Sequence, residues 1–253
     1  MQVHWLAGSE TQVPASQAWL SPREAERLAL MRYSKRRNDF LLGRWTAKQA
    51  LARRLGMAPD DLGTLATIEV RNAPDGAPEA YIGGAPVDHV VAMTDRAGWA
   101  VCALIDGDRR VGCDLELVEP RSDAFVATYL TPAEQALVAA ADDDRHLIAN
   151  LLWSAKESAL KVLRTGLRRD TRSVEVSLVG DEPVEGWRQL RVRTEEGVIF
   201  PGWWRQYGEF LLTIAAESDF PPPCPIVEPT ALEAATPSHS WMAAPLDGFK
   251  AGP

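Results

Sequence analysis

Between Leu151 and Leu163 the chain reads LLWSAKESALKVL, and its apolar and polar positions sort with a 3.6-residue period. Ile148, Leu152, Ala155, Ala159 and Val162 fall on one face, which predicts a helix lying against a core. Trp153, Glu157 and Lys161 recur every four residues on another face, with Lys156 beside them. Taken alone, Glu157 and Lys161 read as a solvated i, i+4 ion pair worth about 0.3–0.5 kcal/mol. Upstream, Val111 to Leu117 alternates instead. That period of two predicts a strand with Cys113, Leu115 and Leu117 turned into a core and Asp114 and Glu116 on the opposite side.

The remaining elements follow from caps and turns. Ser21, Pro22 and Glu24 form a capping box with proline at the first helical position, and Thr131, Pro132 and Glu134 repeat it. A second helix is predicted from near Arg37 to Leu55, ending at Gly56. Strands are predicted at Ile68 to Val70, Val87 to Met93, Trp99 to Ile105, Leu190 to Arg193 and Glu209 to Ala216. Pro74-Asp75-Gly76 marks a turn. Trp203 and Trp204 read as core or interface filler rather than as ligand contacts.

The halves share a grammar. Leu130 to Glu134 echoes Leu20 to Glu24 at an offset of 110 residues, Trp153 to Lys156 echoes Trp45 to Lys48 at 108, and Val174 to Val176 echoes Ile68 to Val70 at 106. Three ordered matches at nearly constant offset predict an α+β fold of two similar subdomains related by a pseudo-two-fold, each a small, mainly antiparallel sheet packed with a long helix. The expected divisions are residues 1–110, residues 111–220 and a Pro/Ala-rich irregular tail over residues 221–253. Eight of the 18 prolines lie in that tail, where Trp241 and Phe249 are the residues able to wrap the body. Gln49 stands in the first half where Glu157 stands in the second, so only the second copy supplies an acid there.

Composition narrows the function classes. With 253 residues and 46% hydrophobic content the chain can bury a full core. A net charge of -8 argues against a sequence-independent nucleic-acid binder, which needs basic side chains on phosphates. Cys102, Cys113 and Cys224 lie in no metal-type spacing and read as buried reduced thiols. The first residues lack a basic start followed by a long apolar run, and no stretch reaches transmembrane length, so a cytoplasmic protein without a membrane partner is expected.

Two like-charged residues on one side of a strand are unfavourable unless solvated or sharing a cation. With Glu157, Asp114 and Glu116 supply three oxygen donors, a candidate magnesium site of the kind that binds substrate phosphates. Gly112-Cys113-Asp114-Leu115-Glu116 followed about forty residues later by Trp153-Ser154-Ala155-Lys156-Glu157 and Lys161 resembles the paired signature of the Sfp-type 4'-phosphopantetheinyl transferases. The likeness extends over roughly residues 1 to 220. It implies a holo-[acyl-carrier-protein] synthase type of enzyme that moves the phosphopantetheine arm of coenzyme A to a serine of an apo acyl or peptidyl carrier protein. Magnesium would be held by Asp114, Glu116 and Glu157; Glu157 would take or orient the serine proton, and Lys156 and Lys161 would stabilise the phosphate oxygens. Arg36, Arg37, Arg44, Thr94, Asp95 and Arg96 are the residues implied for coenzyme A. A monomer is expected, because the duplication supplies its own internal interface.

Two positions depart from the family. Gly76-Ala77-Pro78 stands where a Gly-Lys-Pro turn is common, and Thr94-Asp95 where Ser-His reaches the 3'-phosphate of coenzyme A. An anion in place of a potential cation leaves open a repurposed homologue that uses another donor or reaction. A non-catalytic carrier-protein-binding module is the further alternative, which the acidic charge fits poorly because carrier proteins are themselves commonly acidic.

Overall fold

The computed structural model describes residues 1–238. In chain order these form β1 (Val3–Ser9), α1 (Pro22–Ala29), α2 (Ser34–Arg54), α3 (Leu62–Thr67), β2 (Ile68–Asn72), β3 (Pro78–Ile82), β4 (Ala85–Pro86), β5 (His89–Arg96) and β6 (Trp99–Asp106). There follow β7 (Val111–Leu117), α4 (Asp123–Tyr129), α5 (Pro132–Ala139), α6 (Arg145–Val162), β8 (Val174–Val184), β9 (Trp187–Thr194), β10 (Ile199–Tyr207), β11 (Phe210–Ala216), β12 (Cys224–Pro225) and α7 (Thr230–Glu233). The fold is α+β with mainly antiparallel sheets.

Two larger sheets, ordered β12-β1-β6-β5 and β7-β11-β10-β9-β8, press their inner faces together. Val3, Trp5, Val101 and Ala103 of one meet Cys113, Leu115, Leu212 and Ile214 of the other, all nearly or fully buried. Helix α2 covers the outer face of the first sheet through Ala47, Ala50 and Leu51, and α6 covers the second through Leu152, Ala155 and Ala159. The apolar stripe of α6 thus lies where its period puts it, although Ile148 is only partly buried. A third sheet, β2-β3-β4, stands apart in the first half, whereas the second half keeps its five strands in one sheet.

The two capping boxes do more than close helix ends. Ser21 and Thr131 accept from the Glu24 and Glu134 N–H groups, and each glutamate accepts in return from its cap backbone. The second carboxylate oxygen of each accepts from a strand: Val70 donates to Glu24 at 3.0 Å and Val176 donates to Glu134 at 2.7 Å. Each carboxylate also holds a fully buried lysine, Lys48 or Lys156. The offsets of Glu24 to Glu134, Lys48 to Lys156 and Val70 to Val176 are again 110, 108 and 106 residues, so the duplicated motifs share one buried architecture.

Helix α2 ends as expected at Gly56, whose positive φ of 67° lets Met57 donate to the Ala52 carbonyl at 2.8 Å. From residue 221 to 238 the segment expected to be irregular holds only β12 and α7 as regular structure, and it is docked on the body. Strand β12 pairs parallel with β1, Leu232 is buried, and Ser238 donates to the Ala97 carbonyl. Prolines do not prevent this, since the segment lies on a sheet edge and needs few backbone donors. Trp241 and Phe249 lie outside the described residues. Cys102 and Cys113 are buried thiols as expected, whereas Cys224 is exposed on the edge strand β12. Trp203 is core, donating its indole N–H to the Phe220 carbonyl, and Trp204 packs against the second core beneath Arg188. No helix among the described residues is long and apolar enough to cross a membrane.

Candidate active site

Strand β7 lies against α6, and the two must approach closely. A Cβ on Gly112 would stand 2.0 Å from the Ser158 carbonyl oxygen, so only glycine fits. Ser154 and Ser158, one helical turn apart, bind α6 to the sheet: Ser154 donates to the Asp114 carbonyl of β7 at 3.3 Å and Ser158 donates to the Thr213 carbonyl of the neighbouring β11 at 3.1 Å. Gly112→Ala is therefore expected to lose about 3 kcal/mol through overpacking, read as a shifted urea midpoint. Unchanged stability would show that β7 can retreat from α6.

The close approach gathers the acidic residues. Asp114 is buried, despite its predicted outward side, because α6 covers that face of β7. Lys161 Nζ donates to Asp114 Oδ1 and to the Cys113 carbonyl, each at 2.8 Å. The expected Glu157–Lys161 surface pair gives way to this contact, since Asp114 comes within reach only when strand and helix pack. Thr94 of β5 also donates to Asp114 Oδ1 at 3.1 Å and accepts from the Leu115 N–H, tying the two sheet edges together.

Glu116 is turned toward cations. Its carboxylate meets Arg96 at 3.0 Å and Arg121 at 3.2 Å, and it accepts from the Trp153 indole at 3.1 Å. Arg121 is held in turn by Asn150, and Arg96 reaches Glu119 at 3.1 Å. Arg121, Glu119 and Asn150 were not singled out from the sequence. The spacing of Asn150 three residues before Trp153, on the same side of α6, was the available signal. Trp153 closes an aromatic group with Phe125 and Tyr129, ring centroids 4.9–5.3 Å apart.

Glu157 completes the group. Burial first, and then the charges of Asp114 and Glu116, push its carboxyl up to about 7, with Lys161 opposing. Burial and Asp114 likewise raise Glu116, against Arg96 and Arg121. Burial works against the Lys161 ammonium, but Asp114 reverses the sign and the net displacement is upward. Asp114 Oδ2 and Glu157 Oε1 are buried without a hydrogen-bond partner. Among the described residues no three His, Cys, Asp or Glu side chains stand in a metal-holding group.

Several expected site residues are committed elsewhere. Lys156 is fully buried, and its ammonium donates to Glu134 and to the Thr171 and Val174 carbonyls. All three protons are engaged, so Lys156 has none for a substrate phosphate. Arg44 is buried over the Phe40 ring, donates to Asn72 at 2.8 Å, and is lowered to about 10 by burial against the pull of Glu24. Arg37 donates to the Leu28 carbonyl at 2.6 Å, closing α1. Arg36 is exposed on α2. Arg96 serves Glu116 and Glu119 as described.

Residues 110–192 match the sequence model of the 4'-phosphopantetheinyl transferase superfamily. That span contains Asp114, Glu116, Glu157 and Lys161, the four residues whose meeting is described above. Thr94 and Arg96, which contact Asp114 and Glu116 from the first half, lie outside it. No curated protein matches the chain.

A cavity of about 760 Å³, lined in part by Lys161, lies beside this group of residues between the halves. Val90 to Met93 of β5 supply an apolar wall, and Lys161, Arg164 and Arg168 line the opposite side. A much smaller cleft, about 60 Å³, holds Asp95 beside Lys35, Asp39 and Glu10. The Asp95 side chain is exposed, yet the desolvation by the cleft around it and then Asp39 raise its carboxyl above its usual range.

Proposed function

We propose that this chain transfers the 4'-phosphopantetheine arm of coenzyme A to a serine hydroxyl of an apo acyl or peptidyl carrier protein. The observation that carries this reading is the meeting of Asp114, Glu116, Glu157 and Lys161 within the superfamily match, beside a cavity of nucleotide size. Glu157 is the carboxyl proposed to accept the serine proton; in the metal-free protein burial and then the charge of Asp114 raise it, which makes it a better proton acceptor than an ordinary carboxylate. Lys161 offers a cation to phosphate oxygens when it leaves Asp114. The orphaned oxygens of Asp114 and Glu157 fit a hard, oxygen-seeking cation, and Glu116 joins them by turning from Arg96 and Arg121. Those three residues would hold magnesium, which supplies charge neutralisation to the donor pyrophosphate. Thr94 orients Asp114, and Arg96 and Arg121 keep Glu116 within reach.

The test is the intact mass of a panel of apo carrier proteins after incubation with this protein, magnesium and coenzyme A. Gain of one phosphopantetheine supports the reading; no gain by any carrier from folded protein overturns it.

A second reading, a donor without the 3'-phosphate, is favoured by one observation. Asp95, which stands where the family resemblance puts the residue that reaches that phosphate, shares a small cleft with Asp39 and with Lys35, which is paired to Asp39 at 3.1 Å. An anion within about 4 Å of a phosphate charge is repelled by roughly 1–4 kcal/mol, or about fivefold to nearly a thousandfold in affinity. Asp95→His is expected to tighten coenzyme A by about tenfold and to leave dephospho-coenzyme A unchanged, measured by titration calorimetry. Equal effects on both donors would remove Asp95 from the 3'-phosphate site.

A further inference from the structure

We propose that Arg164 is the anion receptor of the cavity between the halves, held in reserve by Asp75 and Glu79 until a donor phosphate displaces them. The inference rests on the transfer reading above. It concerns three residues that the family signature does not include.

Arg164 follows the end of α6, three residues beyond Lys161, in a left-handed backbone conformation with φ of 58°. A non-glycine residue rarely adopts this conformation, and here it turns the chain back toward the first half. Its guanidinium crosses the cavity wall. Nε stands 2.7 Å from Asp75 Oδ2, and the terminal nitrogen donates to Asp75 Oδ1 at 3.2 Å and to Glu79 Oε1 at 3.4 Å. Arg168 reinforces the crossing by donating to the Asp75 and Arg164 carbonyls, each at 2.9 Å. All four residues line the cavity that Lys161 also lines. The cationic wall therefore continues from the candidate active site into the cavity, and part of it is masked by carboxylates of the opposite half.

The mask is weak. Side-chain exposures of 32% for Arg164, 37% for Asp75 and 41% for Glu79 leave these pairs open to water. An exposed ion pair of this kind is worth no more than about fivefold in an equilibrium constant. A phosphate offers the guanidinium the same two-pronged, charge-assisted acceptance that Asp75 gives it now, with a third acceptor oxygen and up to twice the charge of a carboxylate. A donor of that chemistry can exchange for the mask. A ligand without phosphate gains nothing from doing so, which makes the device selective for anions.

A structural staple and an anion receptor differ in the sign of their mutational effects. If Arg164 only ties the halves together, removing either side of the bridge disturbs the cavity in the same direction. If it is a masked receptor, removing the carboxylates tightens anion binding and removing the arginine weakens it. The experiment is titration calorimetry of coenzyme A and of 3',5'-ADP against the full chain, Asp75→Asn/Glu79→Gln, Arg164→Gln and the combined triple variant. Arg164→Gly is a second variant that suits the left-handed backbone.

The expected result is three- to tenfold tighter binding by Asp75→Asn/Glu79→Gln and about tenfold weaker binding by both Arg164 variants. The tightening should disappear in the triple variant, because it acts through Arg164 and not through general repulsion. Shifts in one direction, or tightening that persists in full without Arg164, overturn the inference while leaving the transfer reading intact. Unmodified protein that binds neither coenzyme A nor 3',5'-ADP overturns both.

Discussion

Lys156→Ala is expected to destabilise the protein by about 3–5 kcal/mol, enough to unfold much of the population of a marginally stable domain. The ammonium is fully buried, and removing it leaves the Glu134 carboxylate without its counter-charge and the Thr171 and Val174 carbonyls without a donor. Lys48→Ala should have an effect of the same order, since Lys48 meets Glu24 and the Trp19 and Leu65 carbonyls in the first half. Urea denaturation of both variants checks this. A double replacement, Glu134→Leu with Lys156→Met, should recover part of the loss by removing both charges, although the Val176 N–H then loses its acceptor. Lys156→Ala that melts like the unmodified protein but no longer transfers would return Lys156 to the chemistry. The first-half twin makes the comparison sharp, because Lys48 has no acidic partner corresponding to Glu157 beside it.

Glu157→Gln carries the largest expected effect on activity, a loss of about 10²–10⁴ in transfer rate if the carboxylate takes the serine proton. It should also stabilise the protein at neutral and higher pH. The folded protein holds Glu157 up at about 7 from an unreacted value of 4.5, so folding favours the protonated form. That contribution is fully present below about 4.5 and is lost as pH rises through about 7. Glutamine mimics the protonated acid and does not lose it. The stability difference in favour of Glu157→Gln should therefore grow between these values and level off at about 1–3 kcal/mol. Thermal melts of the two proteins across that range read it directly, in buffer without added metal. A flat difference would mean that Glu157 is relaxed in its site, and would withdraw the support its raised acidity constant lends to the base role.

Lys156 and Asp114 show where sequence reasoning holds and where it stops. The helix around Leu151 to Leu163 and the strand from Val111 to Leu117 were legible because a side chain's face follows from its position in a local period. That Asp114 and Glu116 share a side of β7 was legible for the same reason. That this side is covered, and that Lys161 belongs to Asp114 and not to Glu157, was not. The covering element is α6, more than thirty residues away, and Gly112 permits its approach. The glycine was visible in the motif, but its reason was a backbone carbonyl on another element.

The arginines make the same distinction in charge. Arg37, Arg44, Lys48 and Lys156 look free in sequence, since each could equally face a ligand. Their partners are carbonyls and carboxylates at helix ends and strand starts elsewhere in the fold. Arg164 and Arg168 had no motif to mark them, and become notable only because the turn after α6 lays them against Asp75 and Glu79.

The sequence by itself determined the duplicated α+β grammar, the paired caps, and the order and spacing of the acidic strand and the Trp-Ser-Xaa-Lys-Glu helix, because periods and caps are set within a few neighbouring residues. Only the tertiary structure decided which cations are spent on the fold and which remain for a ligand, because a buried charge takes whatever partner the packing brings within about 3 Å, at any distance along the chain.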